Sequence, residues 1–154
     1  MMKKIMFVCH GNICRSPMAE FIFKKLVREA GREAEFYIAS AATSDETVFY
    51  GKGSHVYGPA QKELAKHGIS CADKLSVQLK KADYEKYDLF IGMDSANIRN
   101  MQRIFGGDAQ GKVHKLMDYT GKCTDVEDPW YTREFDVAYA DIYEGCTALL
   151  EVLA

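Results

Sequence analysis

Short apolar runs alternate along this chain with stretches of helical period. Residues 5–8 are continuously apolar, the pattern of a buried strand. Beyond them, Met18, Ala19, Ile22, Phe23, Leu26, Val27 and Ala30 share one helical face, with Glu20, Lys24, Lys25, Arg28 and Glu29 on the other. Ser16 suits the N-cap of that helix, Pro17 its first position and Gly31 its stop. A second strand is predicted over 35–40, a helix over 59–67 ended by Gly68, and a third strand over 89–93. Asp94 caps a helix running to Phe105, and 112–117 offers a fourth strand. The last helix, 134–153, is expected to bury Phe135, Ala138, Ile142, Cys146, Leu149 and Leu153.

Strands alternating with helices predict one α/β domain over residues 1–154, a mainly parallel four-stranded sheet with helices on both faces. In such sheets ligands bind beyond the carboxyl ends of the strands. Those ends carry Cys9, Ser40, Asp94 and the loop holding Asp128. Between the second strand and the helix at 59 lies a Gly-, Ser- and Thr-rich segment whose length makes it a functional candidate. The stretch 69–87 is ambiguous, with a short helix expected around 80–88, and 118–132 reads as an acidic loop with a Pro-aromatic cluster.

Composition narrows the function classes. A net charge of −2 gives no electrostatic footprint for nucleic acid or an anionic membrane surface. No apolar stretch approaches the roughly 20 residues of a membrane span, and the apolar run after Lys3 and Lys4 is too short for a signal peptide, so we expect a cytoplasmic protein. The cysteines (9, 14, 71, 123 and 146) are odd in number and scattered, unlike a disulfide scaffold. Neither they nor the dispersed histidines have metal-ligand spacing, so no metal and no cofactor are expected. We expect a monomer, self-associating weakly at most.

The chemistry concentrates in "CHGNICRS", residues 9–16, where a strand ends, a loop curls and a helix begins. Such a loop points successive backbone N–H groups inward, and the helix dipole adds positive potential. Gly11 and Asn12 tolerate the left-handed conformations that the curl demands. Arg15 adds a planar fork able to hold two oxygens of a phosphate-like anion. Cys9 lies at the floor, where these groups favour the thiolate, a nucleophile aimed at phosphorus. A proton for the leaving oxygen must come from a carboxylate at the sheet edge: Asp94, Asp118, Asp125, Glu127 or Asp128. Asp94 is accounted for as a helix cap. Asp128, stiffened by Pro129 and shielded by Trp130 and Tyr131, is preferred over its neighbours on spacing alone.

This loop resembles the signature of the low molecular weight protein tyrosine phosphatases. The similarity continues in order through "SAATS" (40–44), "KHGI" (66–69), "MDSAN" (93–97) and Asp128-Pro129. The resemblance implies the family's fold, a three-layer, flavodoxin- or Rossmann-like arrangement, and hydrolysis of protein phosphotyrosine and small aryl phosphates without a metal. It implies that Cys9 forms a phosphocysteine, that Arg15 binds the phosphoryl oxygens, and that Asp128 acts as general acid and then base. Backbone from His10, Gly11, Asn12, Ile13, Cys14 and Ser16 would cradle the phosphate, with Ser16 holding the thiolate and Asn12, bonded to Ser40, fixing the loop. Ile13 favours phosphotyrosine, because related phosphoarginine phosphatases carry threonine there. Cys14 is expected near Cys9 as a redox partner that captures its sulfenic acid in a reversible disulfide.

Three positions depart from the family pattern. Glu46 stands where an aromatic cleft wall is usual, and the loop after it is longer, with Phe49, Tyr50 and Tyr57 as candidate replacements and Tyr50 preferred. Trp130 precedes Tyr131 where the family places tyrosine directly after Asp-Pro; both are assigned to the cleft wall. A thioredoxin-coupled arsenate reductase shares this fold and loop, but it needs a further close cysteine pair. A non-catalytic phosphate-binding module would need neither nucleophile nor acid.

Overall fold

The computed structural model describes residues 2–71 and 73–153. Strand β1 (Lys3–Cys9) lies inside a four-stranded parallel sheet. It pairs with β2 (Phe36–Ala42) on one side and β3 (Leu89–Gly92) on the other, and β4 (Val113–Lys115) pairs outside β3. Because side chains alternate along a strand, β1 feeds two cores. Ile5, Phe7 and Cys9 belong to one, with Met18, Ile22, Phe23, Ile142, Cys146 and Leu149. Met6 and Val8 belong to the other, with Phe90, Met101 and Phe105. The first set brings in helices α1 (Arg15–Glu29) and α5 (Phe135–Val152), the second α3 (Ser95–Phe105). The sheet is therefore covered on both faces, as the alternation of elements predicted.

Four details differ from expectation. The fourth strand is shorter, because Leu116 and Met117 turn into a 3₁₀ segment (Leu116–Thr120) and are buried there against α5. The acidic loop contains a short helix α4 (Pro129–Thr132), capped by Asp128. Leu153 is only partly buried beside the core. The short helix expected around 80–88 is a 3₁₀ segment (Lys81–Glu85).

The long segment after β2 has local structure of its own. Phe49 and Lys52 exchange backbone hydrogen bonds, both 2.8 Å, across Tyr50 and Gly51, whose φ values are 51° and 78°. This is a two-residue turn with both central residues left-handed, the geometry of a tight hairpin. Ser54 and Ser76 both donate their hydroxyls to the Thr47 carbonyl, at 2.6 and 3.1 Å. Ser76 N–H donates to the Ser54 carbonyl and Ser54 N–H to the Ser76 hydroxyl, each at 2.8 Å. Helix α2 (Gly58–Ala65) then returns the chain to the α1 and α5 side.

Gly53 is the point of closest approach in that packing. A Cβ there would strike the Ser76 backbone, which cannot rotate away as a side chain could. Gly53→Ala is expected to destabilise the fold by about 1–3 kcal/mol, the usual cost of overpacking. Urea unfolding should show it as a lower midpoint at unchanged slope.

Candidate active site

The loop after β1 curls as the sequence demanded, with Asn12 at φ +55°. Gly11 does not take the left-handed conformation; a Cβ there would meet the Thr47 methyl at 3.5 Å and Ile13 Cγ1 at 3.7 Å, both ordinary contacts. Asn12 is fully buried and uses every polar group of its side chain. Its Nδ2 donates to Ser16 Oγ at 2.7 Å and Ser40 Oγ at 2.9 Å, and its Oδ1 accepts from Val77 N–H at 3.0 Å. The expected Asn12–Ser40 bond is present. It continues inward, since Ser40 Oγ donates to Glu20 Oε1 at 2.6 Å and Glu20 pairs with Lys24 and Lys74.

Cys9 is 3% exposed at the bottom of the curl, and its Sγ receives three donors. The N–H groups of Asn12 and Ser16 point at it from 3.3 and 3.4 Å, and Ser16 Oγ is 3.0 Å away. Because Ser16 Oγ already accepts from Asn12, its own hydrogen is free for the sulfur. This corrects the cap assignment. Ser16 is the second residue of α1, Cys14 stands at the cap position, and no side chain caps the helix. Within the first turn of α1, Ser16 N–H points at Cys9 Sγ and Met18 N–H donates to the Cys14 carbonyl, so the positive end of the helix is directed at the sulfur.

Arg15 is also 3% exposed. Its Nη1 donates to Asp94 Oδ2 at 2.7 Å and to the Val126 carbonyl at 2.9 Å, while Nη2 lies 3.5 Å from Asp128 Oδ2. Burial opposes the guanidinium charge, but Cys9, Asp94 and Asp128 outweigh it and raise its pKa above the ordinary arginine value. Asp94 performs two tasks, because its Oδ1 caps α3 through Asn97 N–H at 2.8 Å. Reading it only as a cap missed the clamp, although its place at the end of β3 was the available signal. Nothing in the sequence could have marked the Val126 carbonyl.

These groups floor a cleft of about 260 Å³ lined by Cys9, His10, Gly11, Ile13, Cys14, Arg15, Glu46, Thr47, Asp128, Trp130 and Tyr131. Asp128 accepts Trp130 N–H at 3.0 Å, which ties it to α4. The aromatic of the long loop that supports this wall is Tyr57, not Tyr50. Tyr57 packs its ring 4.7 Å from Trp130, whereas Tyr50 is fully exposed and lines no part of the cleft. The tight turn explains the difference, because it aims the residue at its tip into solvent. Thr47 is a lining residue the sequence did not suggest; its hydroxyl donates to the Gly11 carbonyl at 2.7 Å. Burial, with Cys9 and Asp128 adding to it, pushes the Cys14 thiol up to about 12. All five cysteines are free, and of these only Cys9 and Cys14 line the cleft.

The family model for low molecular weight phosphotyrosine protein phosphatase matches residues 4–154. The low molecular weight protein-tyrosine-phosphatase YfkJ of Bacillus subtilis is 35% identical over 155 residues, covering 97% of this chain and 94% of the relative. The Gallus gallus low molecular weight phosphotyrosine protein phosphatase is 36% identical over 154 residues, with the same coverages. The crystal structure of YfkJ superimposes with a TM-score of 0.92 over 99% of this chain and 95% of that one, at 34% identity. The buried cysteine under a ring of donors and the full-length match meet in one conclusion: this chain belongs to the low molecular weight phosphotyrosine protein phosphatase family.

Proposed function

We propose that the chain hydrolyses aryl phosphates, protein phosphotyrosine first among them, through a phosphocysteine on Cys9. The observation that supports this most directly is the trio of donors on Cys9 Sγ, which stabilises negative charge on the sulfur. Arg15 Nη1 is engaged by Asp94 and Val126, so Nε and Nη2 are the donors left for phosphoryl oxygens. Cys9 attacks phosphorus and Asp128 gives its proton to the leaving phenolate oxygen. Water then attacks the phosphocysteine, with Asp128 taking the proton and Cys9 leaving as the thiolate. Cradle N–H groups and Arg15 carry the charge that builds on the equatorial oxygens in both steps.

The substrate class follows from depth. Cys9 and Arg15 lie beneath the rim, and Trp130 and Tyr131, 46% and 81% exposed, stand at the mouth. A phenyl ester can reach the sulfur while its ring rests on the aromatic wall, whereas a serine ester is too short. No helix among the described residues is long and apolar enough to cross a membrane. We assign the protein to the cytoplasm, acting on phosphoprotein substrates there.

Cys9→Ser should abolish turnover of p-nitrophenyl phosphate while still binding inorganic phosphate. Asp128→Asn should lower kcat by about 100- to 10,000-fold, the range for a lost general acid. A Cys9→Ser enzyme with near wild-type rates would overturn the reading. Trp130→Ala should raise KM for phosphotyrosine peptides more than it lowers kcat, because the ring contact is made before and during reaction alike. Wild type should also turn over phosphotyrosine peptides far faster than phosphoserine peptides.

Peroxide tests the role of Cys14. Oxidation of the Cys9 thiolate gives a sulfenic acid and hydroxide; condensation with the Cys14 thiol then releases water and forms a disulfide. With its thiol pushed up to about 12, Cys14 is not the sulfur oxidised first. After peroxide and then dithiothreitol, wild type should recover activity and Cys14→Ser should recover much less. Equal recovery would reduce Cys14 to a packing residue.

A further inference from the structure

One part of the cleft mouth is charged and unusually well fixed. The segment that follows β2 is stitched to the cradle by four hydrogen bonds. Thr43 N–H donates to the Cys9 carbonyl at 2.9 Å, and Ser44 donates to the His10 carbonyl through both N–H and hydroxyl, at 3.1 and 2.9 Å. Thr47 Oγ1 reaches the Gly11 carbonyl. Glu46 lies within this stitched segment, and its N–H donates to Ser44 Oγ at 3.4 Å. Its carboxylate is therefore held at a set place relative to Cys9 rather than carried on a loose loop.

The carboxylate is directed as well as placed. Glu46 Oε2 pairs with His10 Nε2 at 2.8 Å, and both side chains remain more than half exposed at the rim. The second oxygen, Oε1, accepts no hydrogen bond among the described residues. Arg133 is occupied elsewhere, donating to Tyr57 Oη at 3.0 Å and lying over the Tyr57 and Phe135 rings. A peptide whose phosphotyrosine enters this cleft must lay its neighbouring residues over the mouth, where Glu46 offers an open acceptor.

We propose that Glu46, oriented by His10, sets peptide specificity by favouring lysine or arginine beside the phosphotyrosine and disfavouring aspartate or glutamate. The inference rests on the phosphotyrosine reading given above. A flanking ammonium or guanidinium takes Oε1, while a flanking carboxylate meets a like charge fixed by its partner. The pair is exposed, so discrimination is modest and weakens with salt.

The test compares two phosphotyrosine peptides identical except for lysine or glutamate on both sides of the phosphotyrosine. The quantity read is the ratio of their kcat/KM values within each enzyme, so any general change in activity cancels. At low ionic strength wild type should favour the lysine peptide by about 3- to 10-fold. Glu46→Gln should bring the ratio close to one, Glu46→Lys should invert it, and added sodium chloride should flatten all of these differences. The same ratio in all three enzymes would overturn the role of Glu46 and leave the phosphatase reading intact. Turnover of p-nitrophenyl phosphate with neither peptide hydrolysed would overturn the phosphotyrosine reading and the role of Glu46 with it.

Discussion

The site depends on one buried amide. Asn12 sits in a left-handed conformation that a short polar residue tolerates better than most, and its side chain joins three separate segments of chain. Ser16 is the second residue of α1, Ser40 is on β2, and Val77 directly precedes Gln78, which bridges Ala42 at the end of β2. With its own N–H on Cys9 Sγ, Asn12 also ties the sulfur to this network. A half-satisfied network in this place would be worse than an apolar one, since each orphaned buried group costs about 1–3 kcal/mol. The curl is thus held from behind by hydrogen bonds, while the N–H groups of Asn12 and Ser16 face the sulfur in front.

Behind Ser40 the network ends in charge. Glu20 is 5% exposed and carries Lys24 at 2.5 Å and Lys74 at 3.7 Å. A carboxylate so deep is tolerated because two ammonium groups and a hydroxyl face it. Lys74 shows the other side of that balance: burial lowers its pKa, and Glu20 works against the shift. The cradle is therefore anchored on a compensated buried pair rather than on apolar packing alone, which fixes geometry more strictly than shape does.

The sequence made the scaffold legible where periodicity was strong. β1, α1, β2, α3 and α5 follow from apolar spacing, and the topology that places their ends together follows from the alternation of strand and helix. Cys9 at a strand end and Arg15 at a helix start were legible from their chemical character, whereas Asp128 was one of five candidate carboxylates until the family resemblance singled it out. What stayed hidden was relational. Ser16 satisfies every local criterion for a cap, yet its hydroxyl is claimed by Cys9 and Asn12. Tyr50 is aromatic and in the right loop, but a two-residue turn faces it outward, and Tyr57 reaches Trp130 instead. Glu20 and Thr47 matter through partners far away in sequence, and periodicity carries no record of such pairs.

Arg15 finally explains how two carboxylates so close together can differ. A carboxylate with both oxygens committed to short bonds serves as an anchor, whereas one that stands off its cation keeps an oxygen for other work. Asp94 makes the short bond, 2.7 Å, and it spends its other oxygen on the α3 cap. Asp128 stands off at 3.5 Å and is tethered instead through Trp130 N–H. Because Nη1 is also taken by Val126, two residues before Asp128, the arginine positions the acid through the backbone rather than through the acid itself. The carboxyl proposed to exchange protons is thus held by a backbone tether rather than by a short guanidinium bond.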